Sequence, residues 1–221
     1  MKYKAVIFDL DGTLLNTLED LTDAVNAALA KYHMPVKTQE QVRQYVGNGI
    51  VKLMERAVPE GRKHPDFDMA MQEFKQYYGV HCRDKTAPYP GILTMLRRFR
   101  EHGVRMAVVS NKADFAVKEL MPVYFQGLIE IAYGEDEAAG IRKKPSPDMV
   151  FQALREMDCH TDQAVYVGDS DVDLETAAQA GMACIAVSWG FRSRVFLEQH
   201  GAVRIADTPD ELLSYVFKNE V

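Results

Sequence analysis

The chain has 221 residues, 47% hydrophobic and 26% charged, with 14 glycines and 9 prolines, an ordinary globular composition that excludes collagen-like, low-complexity and largely disordered classes. Its 26 basic and 32 acidic residues give a formal net charge of −6; such a surface repels phosphate backbones and anionic lipid, so neither nucleic acid nor a membrane is an expected partner. Cys82, Cys159 and Cys184 are widely spaced, no apolar run approaches the ~18 residues of a membrane span, and the short apolar start reaches an acid too soon for a signal peptide, so a cytoplasmic setting is expected.

In chain order, Lys4–Asp9 is a short apolar, β-branched run suited to a buried parallel strand. From 17 to 83 the pattern is helical: Leu18, Leu21, Val25, Ala28 and Leu29 recur at helical spacing, and Gln39–Tyr45, Ile50–Ala57 and Met69–His81 continue it. The exit, Asp84–Gly91, carries two prolines and reads as a linker. A helix over Gly91–His102, a strand over Val104–Ser110 and a helix over Lys112–Met121 follow. Gln126–Gly140 is ambiguous, because Leu128–Ala132 fits a strand or a loop with apolar anchors. Beyond it lie a helix over Pro147–Met157, a strand over Ala164–Gly168, a helix over Asp171–Ala180 stopped by Gly181, and a strand over Ala183–Ser188. This alternation predicts an α/β fold, a doubly wound parallel sheet with helices on both faces. The predicted organisation is a core of residues 1–16 and 84–221 with a helical cap, 17–83, inserted after the first strand.

Polar residues collect at the ends of these strands. Asp9 and Asp11 close the first, Ser110, Asn111 and Lys112 the second, and Asp169, Asp171 and Asp173 a later one, with Lys144 between. Carboxyl ends of parallel strands are where open α/β sheets bind ligands. Each group has an ordinary structural reading: a turn at Asp9–Asp11, an N-cap for Lys112–Met121 at Ser110–Asn111, a solvated basic turn at Arg142–Lys144, and a helix cap at Asp169–Asp171. Together they describe a hard-cation site, with oxygen ligands and neither His nor Cys, which suits Mg²⁺ rather than Zn²⁺.

The set Asp-Leu-Asp-Gly-Thr-Leu (9–14), Ser-Asn-Lys (110–112), Lys-Pro-Ser-Pro-Asp (144–148) and Gly-Asp-Ser-Asp-Val-Asp (168–173) resembles the four motifs of the haloacid-dehalogenase-like superfamily, including a cap inserted after the first motif. Asn16-Thr17 is a mild departure from the Asp-Ser or Asp-Thr of many relatives. The resemblance implies that Asp9 is the nucleophile and forms an aspartyl-phosphate, and that Asp11 is the acid and base. It further implies that Ser110 and Asn111 bind the phosphoryl group, that Gly12 and Thr13 shape the turn, with Thr13 at the substrate, and that Lys144 neutralises charge. Mg²⁺ would be held by Asp9, the Asp11 carbonyl and Asp169, with Asp173 outside them orienting Lys144 or a metal-bound water.

Among relatives of this superfamily, the presence of Asp11 argues against a dehalogenase and the lack of Lys there against a P-type ATPase. The absence of His from Leu18–Leu21 argues against a phosphoglucomutase. The implied activity is phosphomonoester hydrolysis on a small phosphorylated metabolite by a monomer or weak homodimer. Tyr45-Val-Gly-Asn-Gly-Ile50 is similar to the cap segment of bacterial phosphoglycolate phosphatases, with Gly47, Asn48 and Gly49 forming either a carboxylate-binding turn before a helix or a plain inter-helix turn. Pyrophosphatase, nucleotide or sugar phosphatase, phosphotransferase and silent regulatory readings stay open beside it.

Overall fold

The computed structural model describes residues 2–136 and 140–217. The ambiguous stretch expected over Gln126–Gly140 therefore falls partly outside the described residues, at 137–139. The chain divides into two compact units, Met1–Leu15 with Pro88–Val221, and Asn16–Ala87. In chain order the elements are β1 (Ala5–Phe8), β2 (Leu15–Asn16), α1 (Leu18–Lys31), α2 (Gln39–Tyr45), α3 (Ile50–Ala57), α4 (Phe67–His81), β3 (Ala87–Pro88), α5 (Ile92–Glu101), β4 (Arg105–Ala113), α6 (Asp114–Phe125) and β5 (Ile131–Glu135). They continue with α7 (Asp148–Glu156), β6 (Ala164–Gly168), α8 (Asp171–Ala180), β7 (Ala183–Val187), α9 (Arg194–Gln199), β8 (Ile205–Ala206) and α10 (Pro209–Phe217).

The first unit is built on a six-stranded sheet in the order β5-β4-β1-β6-β7-β8, with every neighbouring pair parallel. All four residues of β1 are buried, as expected of a central strand covered on both faces. Ala5 and Ile7 pack with Met149, Val150 and Ala153 of α7 and Ala177 of α8. Phe8 faces the other way, its ring 6.3 Å from that of Phe99 in α5, which in turn lies 5.5 Å from Phe217 of α10. The period-two alternation along β1 thus divides the core into two helical layers, and the doubly wound expectation holds. The chain fills the sheet outward from β1 in one direction, then returns to build β6, β7 and β8 on the other side. That reversal falls between β1 and β6, and the carboxyl ends of strands at such a reversal are where open α/β sheets bind ligands.

Two local expectations are corrected. The helix expected over Lys112–Met121 starts instead at Asp114, because β4 runs on through Ser110, Asn111 and Lys112 to Ala113, past a register irregularity between Val109 and Ala113. Ser110–Asn111 is therefore strand rather than a helix N-cap. The segment 128–132 resolves as β5 three residues later, at Ile131–Glu135. By contrast α8 starts at the expected Asp171, capped by a reciprocal Ser170–Asp173 box, and ends at Gly181 with φ 67°.

The second unit is helical. α1 buries Leu18, Leu21, Val25, Ala28 and Leu29, and α4 buries Phe67, Ala70, Met71, Phe74 and Tyr78; the two helices pack on each other. α2 opens on a Thr38–Gln41 capping box. Asp20 lies buried on α1 and accepts hydrogen bonds from the Lys85 and Thr86 amides and the Thr86 hydroxyl at 2.7–3.1 Å. Among the described residues no helix is long and apolar enough to cross a membrane.

Candidate active site

Asp9 directly follows β1, and its N–H still donates to Val167 O of β6 at 2.8 Å, so the sheet fixes its backbone. Its side chain is 9% exposed. The Lys144 ammonium donates to Asp9 Oδ1 at 2.6 Å, to Asp173 Oδ1 at 2.8 Å and to the Tyr166 hydroxyl at 3.2 Å. Asp173 is wholly committed: Oδ1 also accepts from Tyr166 at 3.1 Å, and Oδ2 accepts from the Ser170 amide and hydroxyl at 3.1 and 2.6 Å. Gly168 is required beside it, since a Cβ there would fall 2.2 Å from Asp173 Cγ.

Asp169 completes the acidic group. Carboxylate oxygens of Asp9, Asp169 and Asp173 lie within 4.8 Å of one another. The Phe191 amide donates to Asp169 Oδ2 at 2.6 Å, and Gly12, at φ 88°, leaves it room, since a Cβ would come within 2.3 Å of that oxygen. Three buried acids face one buried ammonium, and the imbalance is visible in their acidities. Burial, offset in part by Lys144, pushes Asp9 up to about 7, and burial with the charges of Asp173 and Asp9 raises Asp169 well above the carboxylate range. Burial opposes the charge on Lys144, but Asp173 and Asp9 more than compensate and hold the ammonium well above its ordinary value. An oxygen-only donor set with surplus negative charge fits a hard divalent cation.

Asn111 is clamped to the loop that carries Lys144. Its Oδ1 accepts from the Lys144 amide at 2.7 Å and its Nδ2 donates to the Lys144 carbonyl at 3.1 Å. Ser110 is buried beside it, its Oγ accepting from the Lys112 amide at 3.2 Å. Asp11 stands apart from the three clustered acids, and the Lys112 ammonium donates to both of its oxygens, at 3.0 and 3.3 Å. Thr13 is completely buried; its carbonyl accepts from Trp189 Nε1 at 2.9 Å and its hydroxyl has no partner.

In the second unit, Gly47 and Gly49 have φ of 120° and 84°, and Gly49 opens α3. The Arg56 guanidinium spans this turn, donating to Tyr45 O at 2.6 Å and to Asn48 Oδ1 at 2.9 Å. Sequence reading missed three participants: Lys112 as partner of Asp11, Tyr166 as partner of Lys144 and Asp173, and Arg56 as brace of the turn. A signal for Tyr166 existed, since it is the one polar-tipped residue in the apolar strand Ala164–Gly168, and a buried hydroxyl needs a partner.

Residues 6–187 match the haloacid dehalogenase-like hydrolase family. The chain is 34% identical over 211 residues to a phosphoglycolate phosphatase of Pseudomonas syringae, covering 92% of this chain and 76% of that one. Its structure is similar to one from Lactobacillus delbrueckii provisionally described as a phosphoglycolate phosphatase, with TM-score 0.93 and 39% identity over 98% of this chain and 99% of that one. It is similar also to CbbY from Rhodobacter sphaeroides in complex with phosphate, with TM-score 0.77 and 28% identity over 95% and 96% of the two chains.

Proposed function

The chain belongs to the haloacid dehalogenase-like hydrolases and is a phosphatase, and we propose that it hydrolyses a small carboxylated phosphate monoester, 2-phosphoglycolate, through a phosphoryl group carried on Asp9. The observation that carries this reading is Asp9 itself, fixed by the sheet, buried, and gripped on Oδ1 by Lys144 at 2.6 Å, which leaves Oδ2 to meet phosphorus.

Asp9 Oδ2 attacks phosphorus, the phosphorus–ester oxygen bond breaks, and Asp11 gives its proton to the departing alkoxide. Water then attacks the phosphoryl group, its proton returns to Asp11, and the bond to Asp9 breaks to release phosphate. The Ser110 hydroxyl donates to a phosphoryl oxygen, and the Lys144 ammonium offsets charge on Asp9 and the transferring group. Asn111 holds Lys144 in place through the loop backbone, while Thr13, fully buried, supports the Gly12 turn. Asp9 and Asp169, with the Asp11 carbonyl, are the ligands proposed for Mg²⁺, which when bound supplies charge neutralisation and draws phosphate in. Asp173, with both oxygens engaged, aligns Lys144 instead. In the second unit the Gly47-Asn48-Gly49 turn is proposed to receive the substrate carboxylate on backbone N–H groups at the start of α3.

The experiment is a panel of phosphomonoesters with Mg²⁺: 2-phosphoglycolate, sugar phosphates, nucleotides, pyrophosphate and an aryl phosphate. Highest kcat/KM on 2-phosphoglycolate is expected. A clear preference for pyrophosphate, a nucleotide or a sugar phosphate contradicts the substrate, and absence of phosphate release from every member contradicts the reaction.

A further inference from the structure

We propose that Lys112 is a positioning residue for Asp11, holding the acid/base carboxyl where it meets the leaving oxygen; this rests on the reading of Asp11 given above. β1 and β4 are parallel neighbours with Phe8 opposite Val108, so the turn after β1 that carries Asp11 and the last residues of β4, Lys112 among them, lie at the same end of the sheet. β4 stays extended through Lys112 instead of turning into helix. That extension carries the Lys112 side chain across to Asp11, where one ammonium reaches both carboxylate oxygens at 3.0 and 3.3 Å.

Burial makes the pair more than a surface contact. The Lys112 side chain is 2% exposed and that of Asp11 14%. A buried ammonium is costly unless it is paired, and a pair so enclosed has a definite geometry, unlike a solvent-exposed ion pair. The chain turns at Gly12, φ 88°, directly after Asp11, and the contact of Lys112 with both carboxylate oxygens fixes the orientation of the Asp11 side chain. Lys112 thus reaches the Asp11 carboxylate, whereas Asp9 and Asp173 accept from Lys144.

A positioning role separates from a structural one by its dependence on the leaving group, because only poor leaving groups need a well-placed acid. kcat/KM is measured with Mg²⁺ for phosphate monoesters from alkyl through phenyl to 4-nitrophenyl, in wild type, Asp11→Asn, Lys112→Met and Lys112→Arg. Asp11→Asn is expected to lose on the order of a hundredfold with the alkyl ester and far less with the 4-nitrophenyl ester. Lys112→Met is expected to follow the same slope, losing about tenfold or more at the alkyl end and less than about threefold at the activated end, with Lys112→Arg restoring most of the loss. An equal loss on every ester for Lys112→Met, or a gain at the alkyl end, beside a steep Asp11→Asn series overturns the role of Lys112 and leaves the phosphatase reading intact. A flat Asp11→Asn series overturns the acid role of Asp11, and the proposal for Lys112 falls with it. Should Lys112→Met not fold, Lys112→Arg and Lys112→Gln carry the test: matching leaving-group slopes for the two overturn it.

Discussion

The Asp9–Lys144 network of the first unit and the Gly47–Gly49 turn of the second are both polar clusters organised by one basic side chain, and they are built in opposite ways. Lys144 joins Asp9 after β1, Tyr166 in β6 and Asp173 in α8, groups 22 to 135 residues away in the chain, and every member is buried. Arg56 is exposed and reaches Tyr45 and Asn48, within 11 residues of itself. A buried charge network has one satisfied arrangement, and losing any member strands the others. A local, solvated brace can be altered at small cost. The residues proposed to carry the reaction thus lie where the fold resists change, and the feature proposed to select the substrate where it does not.

The sharpest way to break the comparison is to remove its central cation. Lys144→Met leaves Asp9 and Asp173 facing each other without compensation, which is expected to cost about 3–5 kcal/mol of stability and on the order of a thousandfold in kcat. Denaturant unfolding and steady-state kinetics measure the two. A variant with near-normal stability would show that the network is hydrated in solution.

Removing the metal probes the same imbalance from the other side. Burial pushes Asp9 up to about 7 in the fold from an ordinary 3.8. Between those values the folded chain holds a proton that the unfolded chain has lost, so the stability of the metal-free protein falls as pH rises from about 4 to about 7. Mg²⁺ requires ionised carboxylates, so its stabilisation grows over the same interval. Melting curves with Mg²⁺ and with chelator at about pH 5.5 and about pH 8 are expected to show the larger metal-induced rise in Tm at the higher pH. An equal rise at both would place the metal away from Asp9.

Disturbing the turn is expected to have the smallest effect and the most selective. Gly49→Val forces a β-branched residue to φ 84° and is expected to lower kcat/KM for 2-phosphoglycolate about tenfold, the equivalent of one charge-assisted hydrogen bond, and for an aryl phosphate much less. Arg56→Ala is expected to show the same selectivity at a few-fold. Equal losses on both substrates would make the turn a packing feature only.

Much of this was legible in the sequence because it depends on local pattern. The apolar run of β1, the Asp171–Ala180 helix with Gly181 after it, and the helices between Leu18 and His81 follow from side-chain period and capping. The end of β4 did not, because the apolar signal stops at Val109 while the strand continues through Ser110, Asn111 and Lys112. What holds those polar residues extended is long-range: Asn111 on the Lys144 backbone and Lys112 on Asp11. Tyr166 as a partner of Lys144 was missed for the same reason, since no spacing rule links residues 22 positions apart, whereas Asp173 beside Lys144 was expected from the family resemblance and not from spacing.

The central claim is that Asp9 carries the phosphoryl group, and it is tested most directly by acid-quenching the enzyme during turnover with Mg²⁺ and mapping phosphorylation by mass spectrometry. The account predicts a phosphoryl adduct on Asp9 that forms and decays at rates compatible with kcat and is absent in Asp9→Asn. Phosphate release without any adduct at the earliest quench times, or an adduct on a different residue, would contradict it.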